Sequence, residues 1–265
     1  MDTLHSASHP VDRAVEITRV AEHIWHALED DQVVGRGDAV SRSGGRLFIS
    51  VDAWHDTVFD RVVSAMLRDL PRPLHVVVDE ADGEAAVRWG RAGFVIGRRE
   101  TGYLVPTDPH VTGLGSVRPP SDVTIVPAGG ADEQLLRAVD RVIREEVEAT
   151  VGWHTMPTEV IPLPPGVTVV DPAKFAVAAQ GSEYVAMLRL AGRVQQPRIG
   201  LLAVRAGRRR RGIGRALLAH SLAVLHDQGT ESAWAEVDQT NAAAVALFEG
   251  VGAERAGGTL ELVRR

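Results

Sequence analysis

From residue 132 to 149 the chain reads DEQLLRAVDRVIREEVEA, and its apolar positions Leu135, Leu136, Val139, Val142, Ile143 and Val147 recur at steps of three and four. That spacing places them on one face of an α-helix. The period then changes. KFAVAAQ, EYVAMLRLA and PRIGLLAV are short apolar stretches divided by turn-forming residues, the pattern of consecutive antiparallel strands. A helix is predicted from about Ile213 to His226 with Leu217, Leu218, Leu222 and Leu225 inward, then a strand at ESAWAEV, a short alanine-rich helix at NAAAVALFEGVG and a closing strand at GTLELVR. DVTIVPA reads as a strand ahead of the first helix. VGWHTMPTEVIPLPPGVTVVDP reads as a rim-forming loop, because Pro164 and Pro165 argue against regular structure.

The first half of the chain follows part of the same order. RLFISVDAW predicts a strand, residues 56 to 70 a helix with Val58, Phe59, Val62, Val63, Met66 and Leu70 on one side, LHVVVDE a strand, GEAAVRWGRAGF a short helix and IGRRETGYLV a strand. Set beside LLAVRAG, GRALLAHSLAVL, SAWAEVDQ, AAAVALFEGVGA and TLELVRR, these match element for element, so an internal duplication is expected. The proline- and glycine-rich stretch VPTDPHVTGLGSVRPPSD has no apolar period and sets the expected boundary near residue 120, giving domains 1–120 and 121–265. The fold class is α/β, each domain a mixed, mostly antiparallel sheet flanked by helices.

Composition narrows the chemistry. The length of 265 residues suits two domains, and 45% apolar with 24% charged residues is ordinary globular usage. A formal net charge of -6 argues against a chain that coats nucleic acid, so any basic site has to be local. With no cysteine, disulfides, thiolate metal sites and a cysteine nucleophile are excluded, and no metal site is expected. The start, MDTLHSASHPVDR, lacks a secretory signal and no run reaches the roughly 18 apolar residues of a membrane span. A cytoplasmic protein without a membrane partner is the expectation.

The local basic site is AVRAGRRRRGIG, residues 203–214, between a strand ending at Val204 and a helix beginning near Ile213. The first amides of a helix have no internal partner and its dipole favours negative charge. Gly212 and Gly214 let the backbone come close to a ligand. A phosphate or pyrophosphate site follows. A Walker loop is excluded because no Lys-Ser or Lys-Thr ends the turn, and a dinucleotide fingerprint because Leu217 stands where its third glycine belongs. Read alone, the run also fits a solvated charged face. A nucleic-acid patch is disfavoured by the acidic chain and the lack of interleaved aromatics.

LAVRAGRRRRGIGRALL resembles the acyl-coenzyme A signature of the GCN5-related N-acetyltransferase (GNAT) superfamily, with Val204, Arg209, Gly212 and Gly214 matching and Ala206 in place of the usual proline. VDQTNAAAVALFEGVGA resembles the second signature through Asn241, Ala244, Leu247, Phe248 and Gly252. The resemblance implies two acetyltransferase-like domains and acetyl-coenzyme A as acetyl donor. By it, amides from Arg209 through Arg210, Arg211, Gly212, Ile213 and Gly214 to Arg215 hold the pyrophosphate, Leu202, Ala203 and Val204 pair with the pantetheine arm, and Asn241 reaches the cofactor. Taken alone, Asn241 reads as a helix N-cap. Phe248 stands at the family's usual tyrosine, where it can pack against the pantetheine arm but donate no proton, so thiolate protonation falls to water, another side chain or the substrate.

The base stays open among Glu236, Glu183, Tyr184 and His154, with Arg198 where some members carry an acid. Glu236, amid SAWAEV, is the leading carboxylate. In the first half DAWHDTVFD lies where RAGRRRRGIG lies in the second, Asp82 where Asn241 lies and Trp89 where Phe248 lies, which suggests a degenerate unit without cofactor chemistry. The function expected is direct N-acetylation of a small-molecule or peptide amine; a homodimer is compatible with it. The alternatives are a coenzyme-A-binding regulatory or scaffold protein whose transfer has lapsed and, as a minor one, an enzyme like mycothiol synthase.

Overall fold

The computed structural model of the chain describes residues 15–42, 45–150, 170–193 and 196–265. They form two compact units that alternate along the chain: the described residues up to Val76 with Val87–Val95 and Leu262–Arg265, and Val77–Ala86 with Ile96–Glu261. This division does not fall at residue 120, because the strand at IGRRETGYLV counts with the second unit, where its residues from Glu100 to Val105 pair with Asp238 to Ala233.

In the first unit β1 (Glu16–Ala21), β2 (Ile24–Glu29), β3 (Gln32–Arg42) and β4 (Arg46–Ala53) form an antiparallel meander. The apolar pattern does not anticipate β1 to β3. Their turn signal is Asp30-Asp31, both at positive φ (49° and 62°), the backbone that a two-residue hairpin turn demands. Helix α1 (Asp56–Asp69) follows and buries Val58, Phe59, Val62, Val63 and Met66. It lies so close on β3 that a β-carbon at Gly37 would meet Val62 at 2.8 Å. β5 (Leu74–Asp79) starts parallel to β4, with only Leu47↔Leu74 and Phe48↔His75 in register, and α2 (Gly83–Arg91) buries Trp89 edge-on between Phe59 and Phe94.

The second unit contains most of β6 (Val95–Pro106), then α3 (Pro109–Thr112), β7 (Thr124–Val126), α4 (Glu133–Glu148), β8 (Phe175–Gln180), β9 (Glu183–Arg193), β10 (Gln196–Val204), α5 (Ile213–Asp227), β11 (Ser232–Asp238), α6 (Ala242–Glu249) and most of β12 (Glu254–Arg264). Its strand order is β12-β6-β11-β10-β9-β8-β7; β10 and β11 run parallel and the registered pairs β7–β8, β8–β9, β9–β10 and β11–β6 run antiparallel. Leu217, Leu218, Leu222 and Phe248 from α5 and α6 pack on one sheet face against Tyr103, Leu188, Ile199, Ala233 and Ala235. On the other face Leu136, Val139 and Ile143 of α4 pack against Phe175, Val177 and Met187. The α/β class with mixed, mostly antiparallel sheets flanked by helices is the one anticipated. The order β4-α1-β5-α2-β6 is the same as β10-α5-β11-α6-β12.

One buried titratable group carries a pH signature. His75 is 8% exposed, stacks on Phe48 at 5.2 Å, and its Nδ1 accepts from the Arg46 guanidinium at 3.1 Å. Burial, and then the Arg46 charge, lower its pKa from 6.5 to about 4. The native state holds the ring neutral while the unfolded chain protonates it more readily, so stability present above pH 6.5 is lost as pH falls toward 4. The expected loss between pH 7 and 4 is about 3 kcal/mol. Denaturant unfolding at both pH values checks it: His75→Gln should remove that part of the pH dependence.

Candidate functional site

β10 ends at Val204, a single 3-10 turn spans Ala206–Arg208, and α5 begins at Ile213. Between them Arg210 and the N-cap Gly212 adopt the left-handed conformation, φ 63° and 82°. The first bond of the helix runs from the Ala216 N–H to the Gly212 carbonyl at 2.9 Å. The amides of Arg210, Arg211, Gly212, Ile213, Gly214 and Arg215 therefore have no hydrogen-bond partner among the described residues. Left-handed backbone at a non-glycine residue costs about 1 kcal/mol, and such strain persists where the surroundings impose it. Consecutive free amides beside it, at the positive end of a helix dipole, are groups of the kind that bind anions.

The two glycines differ in role. Gly212 has open space where a β-carbon would stand, and its constraint is conformational. At Gly214 a β-carbon would lie 3.3 Å from Cγ2 of Val204, so that glycine lets the helix start close against the strand end. The arginines divide likewise. Arg209 Nε donates to the Val204 carbonyl at 3.1 Å and Arg205 pairs with Glu183 at 3.1 Å, while the Glu146 carboxylate of α4 accepts the Ala206 N–H at 2.6 Å. Arg208, Arg210, Arg211 and Arg215 make no ion pair among the described residues and add positive field at the free amides.

Toward its start β10 is in register with β11 only at Arg198↔Trp234 and Ile199↔Ala235. A bulge between Ile199 and Leu201 shifts its register with β9, and beyond it Leu202 and Val204 join the α5 core while Leu201 and Ala203 join the α4 core. Past this fork the β11-facing edge of β10 has no registered strand among the described residues, which leaves backbone groups of the kind an extended ligand pairs with. Glu236 stands one residue beyond the last registered pair. Arg198 donates to its Oε2, and the Trp234 indole N–H donates to its Oε1 at 3.1 Å. Arg98, Glu100 and Asp238 continue the polar network on neighbouring strands, with Arg98–Glu100 at 2.7 Å and Arg98–Asp238 at 3.5 Å.

The remaining expected site residues lie elsewhere or have structural partners. Glu183 is beyond the far end of β10, which itself lies five residues or roughly 15 Å of strand from the fork. Tyr184 is buried against α4, and its hydroxyl oxygen accepts the Asp132 N–H at 2.9 Å where that helix starts. His154 falls outside the described residues. Asn241 caps α6 by accepting the Ala244 N–H at 3.1 Å. Phe248 is buried and stacks on Tyr103 of β6, ring centroids 6.0 Å apart. Among the described residues no helix is long and apolar enough to cross a membrane.

Residues 140–253 match the model of the acetyltransferase (GNAT) family. The whole fold is similar to a GCN5-related N-acetyltransferase from Sphaerobacter thermophilus (14% identity, TM-score 0.61, 93% of this chain and 82% of that one). It is also similar to a tandem GNAT protein from the clavulanic acid biosynthesis pathway (12% identity, TM-score 0.62, 91% and 82%). This chain has the GNAT fold. A GCN5-related N-acetyltransferase from Kribbella flavida is a third likeness (16% identity, TM-score 0.56, 94% and 89%). Among curated proteins, 51 residues are 45% identical to the ribosomal protein bS18-alanine N-acetyltransferase of Escherichia coli K12, 19% of this chain and 34% of that enzyme. The match thus spans about a third of the length of the curated relatives.

The GNAT fold implies an acetyl-coenzyme A site, and the free amides are the feature that fits its pyrophosphate. Gly212→Glu, which sets a carboxylate beside them, is expected to weaken coenzyme A binding by about a hundredfold. Gly212→Ala carries the same backbone strain without the charge and should lose much less. Calorimetric titration of both variants with coenzyme A decides; undiminished affinity in Gly212→Glu overturns the assignment.

Proposed function

We propose that the protein transfers an acetyl group from acetyl-coenzyme A directly to a primary amine. The observation that carries this reading is the row of free amides from Arg210 to Arg215 at the end of a strand that has parted from its parallel neighbour. In it the amides bind the pyrophosphate, Arg208, Arg210, Arg211 and Arg215 supply field, and the free edge at Leu202, Ala203 and Val204 orders the pantetheine arm by strand addition. The cofactor supplies a thioester, whose acyl carbon is open to an unprotonated amine. Glu236 at the fork accepts a proton from the incoming ammonium, directly or through water, with Arg198 and Trp234 holding both of its oxygens. Phe248 has no hydroxyl to give the leaving thiolate a proton, so that proton comes from water or from the substrate.

The first unit is read as lacking a cofactor. It has the same two-pair parting between β4 and β5, but its helix start carries His55 and Thr57 in place of the glycines, and Asp56 between them is paired at 3.3 Å with both Arg88 and Arg91. Acceptors of a net acidic protein are cationic amines, and the short likeness to the bS18-alanine enzyme adds a peptide N-terminus to amino sugars and polyamines as candidates. A second reading, a coenzyme-A-binding protein whose transfer has lapsed, is favoured by one observation: both Glu236 oxygens already have donors.

Free thiol release from acetyl-coenzyme A over an amine panel separates the two. The enzyme reading expects release only when an amine is added, and a drop in kcat of about a hundredfold in Glu236→Gln. Tight cofactor binding with no amine-dependent release across the panel would sink it.

A further inference from the structure

We propose that Gly102 and Trp234 are positioning residues for Glu236, so that β6, which precedes the two signatures in the chain, completes the fork. In the β11–β6 register Glu236 faces Gly102 and Trp234 faces Leu104. Ala233, Ala235 and Val237 point into the α5 core, which puts Trp234 and Glu236 together on the opposite face. There the indole lies across Gly102. A β-carbon at Gly102 would overlap Cζ2 and Cη2 of Trp234, closer than real side chains approach. Only glycine leaves the ring where it is, and only in that place does Nε1–H reach Oε1 of Glu236.

Arg198 holds the other oxygen from β10, so the carboxylate is fixed by one donor from each parallel strand where they part. Charge alone would leave Glu236 free to rotate about the Arg198 guanidinium, and the second donor removes that freedom. Gly102 lies outside residues 140–253 that match the family model, so the matched stretch does not contain the residue that makes room for this donor.

The inference rests on the acetyltransferase reading for its kinetic test and has a second test that does not. Trp234→Phe keeps an aromatic ring and loses the N–H; kcat should fall about tenfold while the coenzyme A Kd stays within about twofold. Gly102→Ala should reproduce that split by displacing the indole. In a Trp234→Leu background, where nothing overlaps residue 102, adding Gly102→Ala should cause no further loss. Independently of turnover, the Glu236 carboxyl carbon resonance, assigned by its absence in Glu236→Gln, should move in Trp234→Phe. Equal losses from Gly102→Ala in both backgrounds, or an unmoved Glu236 resonance, overturn the proposal. If wild type transfers no acetyl group, the acetyltransferase reading fails and the resonance alone decides this one.

Discussion

The site depends on two parallel strands that cease to pair. β10 and β11 share register at Arg198↔Trp234 and Ile199↔Ala235, and then each continues without the other, β10 to Val204 and β11 to Asp238. A parting of this kind leaves backbone donors and acceptors without a partner, and each buried group left so costs about 1–3 kcal/mol. It holds because both strands are paired on their outer sides. β9 follows β10 from Gln196 to Val204, and β6 follows β11 from Ser232 to Asp238. The bulge at Ile199/Leu201 turns the β10 side chains so that both faces beyond it stay packed. What remains open is an edge, and an edge binds extended chains.

The two ends of that edge do different electrostatic work. At the turn, free amides and four arginines without ion pairs concentrate positive field in a protein whose net charge is -6. At the fork, charges are compensated: Arg198 with Glu236, Arg98 with Glu100 and Asp238. An anion needs field, which backbone and unpaired side chains give without fixed geometry. A carboxylate with a donor on each oxygen, as Glu236 has, is instead held in one orientation. The first unit has a comparable parting in different surroundings. β4 and β5 share just two registered pairs as well, yet β3–β4 keeps its register from Gly35 to Arg42 without a bulge, and Asp56 brings its own carboxylate to the start of α1.

Much of the second unit was legible because its determinants are local. The apolar period marks α4 and α5, alternation marks the strands, and the turn from Arg205 to Gly214 contains in one stretch both the glycines and the helix start that expose the amides. Side-chain roles were less legible. Tyr184 reads as an acceptor-side phenol, but its hydroxyl is met by the Asp132 amide across 52 residues of sequence. Glu183 reads as a carboxylate near the site, but Arg205 holds it at the turn end of β10. Neither partner has a period or motif that links it to its mate. β1 to β3 are missed for another reason: mixed polar strands around an Asp-Asp turn give a weak alternation signal.

The sharpest division between legible and illegible runs through the site itself. The turn with the free amides lies inside the family-matched residues 140–253 and is set by its own backbone conformation. The strand that braces β11 lies outside them, pairing Pro106 with Ser232 and Glu100 with Asp238. That brace does more than close a hydrogen-bond ladder, since Tyr103 stacks on Phe248 on one face and Gly102 admits Trp234 on the other. Both neighbours belong to the fork's second strand or to the helix that follows it. The aromatic ring at position 248 therefore packs on a residue 145 positions upstream, and the space for the indole that donates to Glu236 is left by the neighbouring Gly102. A segment carrying the two signatures alone keeps the turn with its free amides, but β11 in it has lost the strand it pairs with from Ser232 to Asp238.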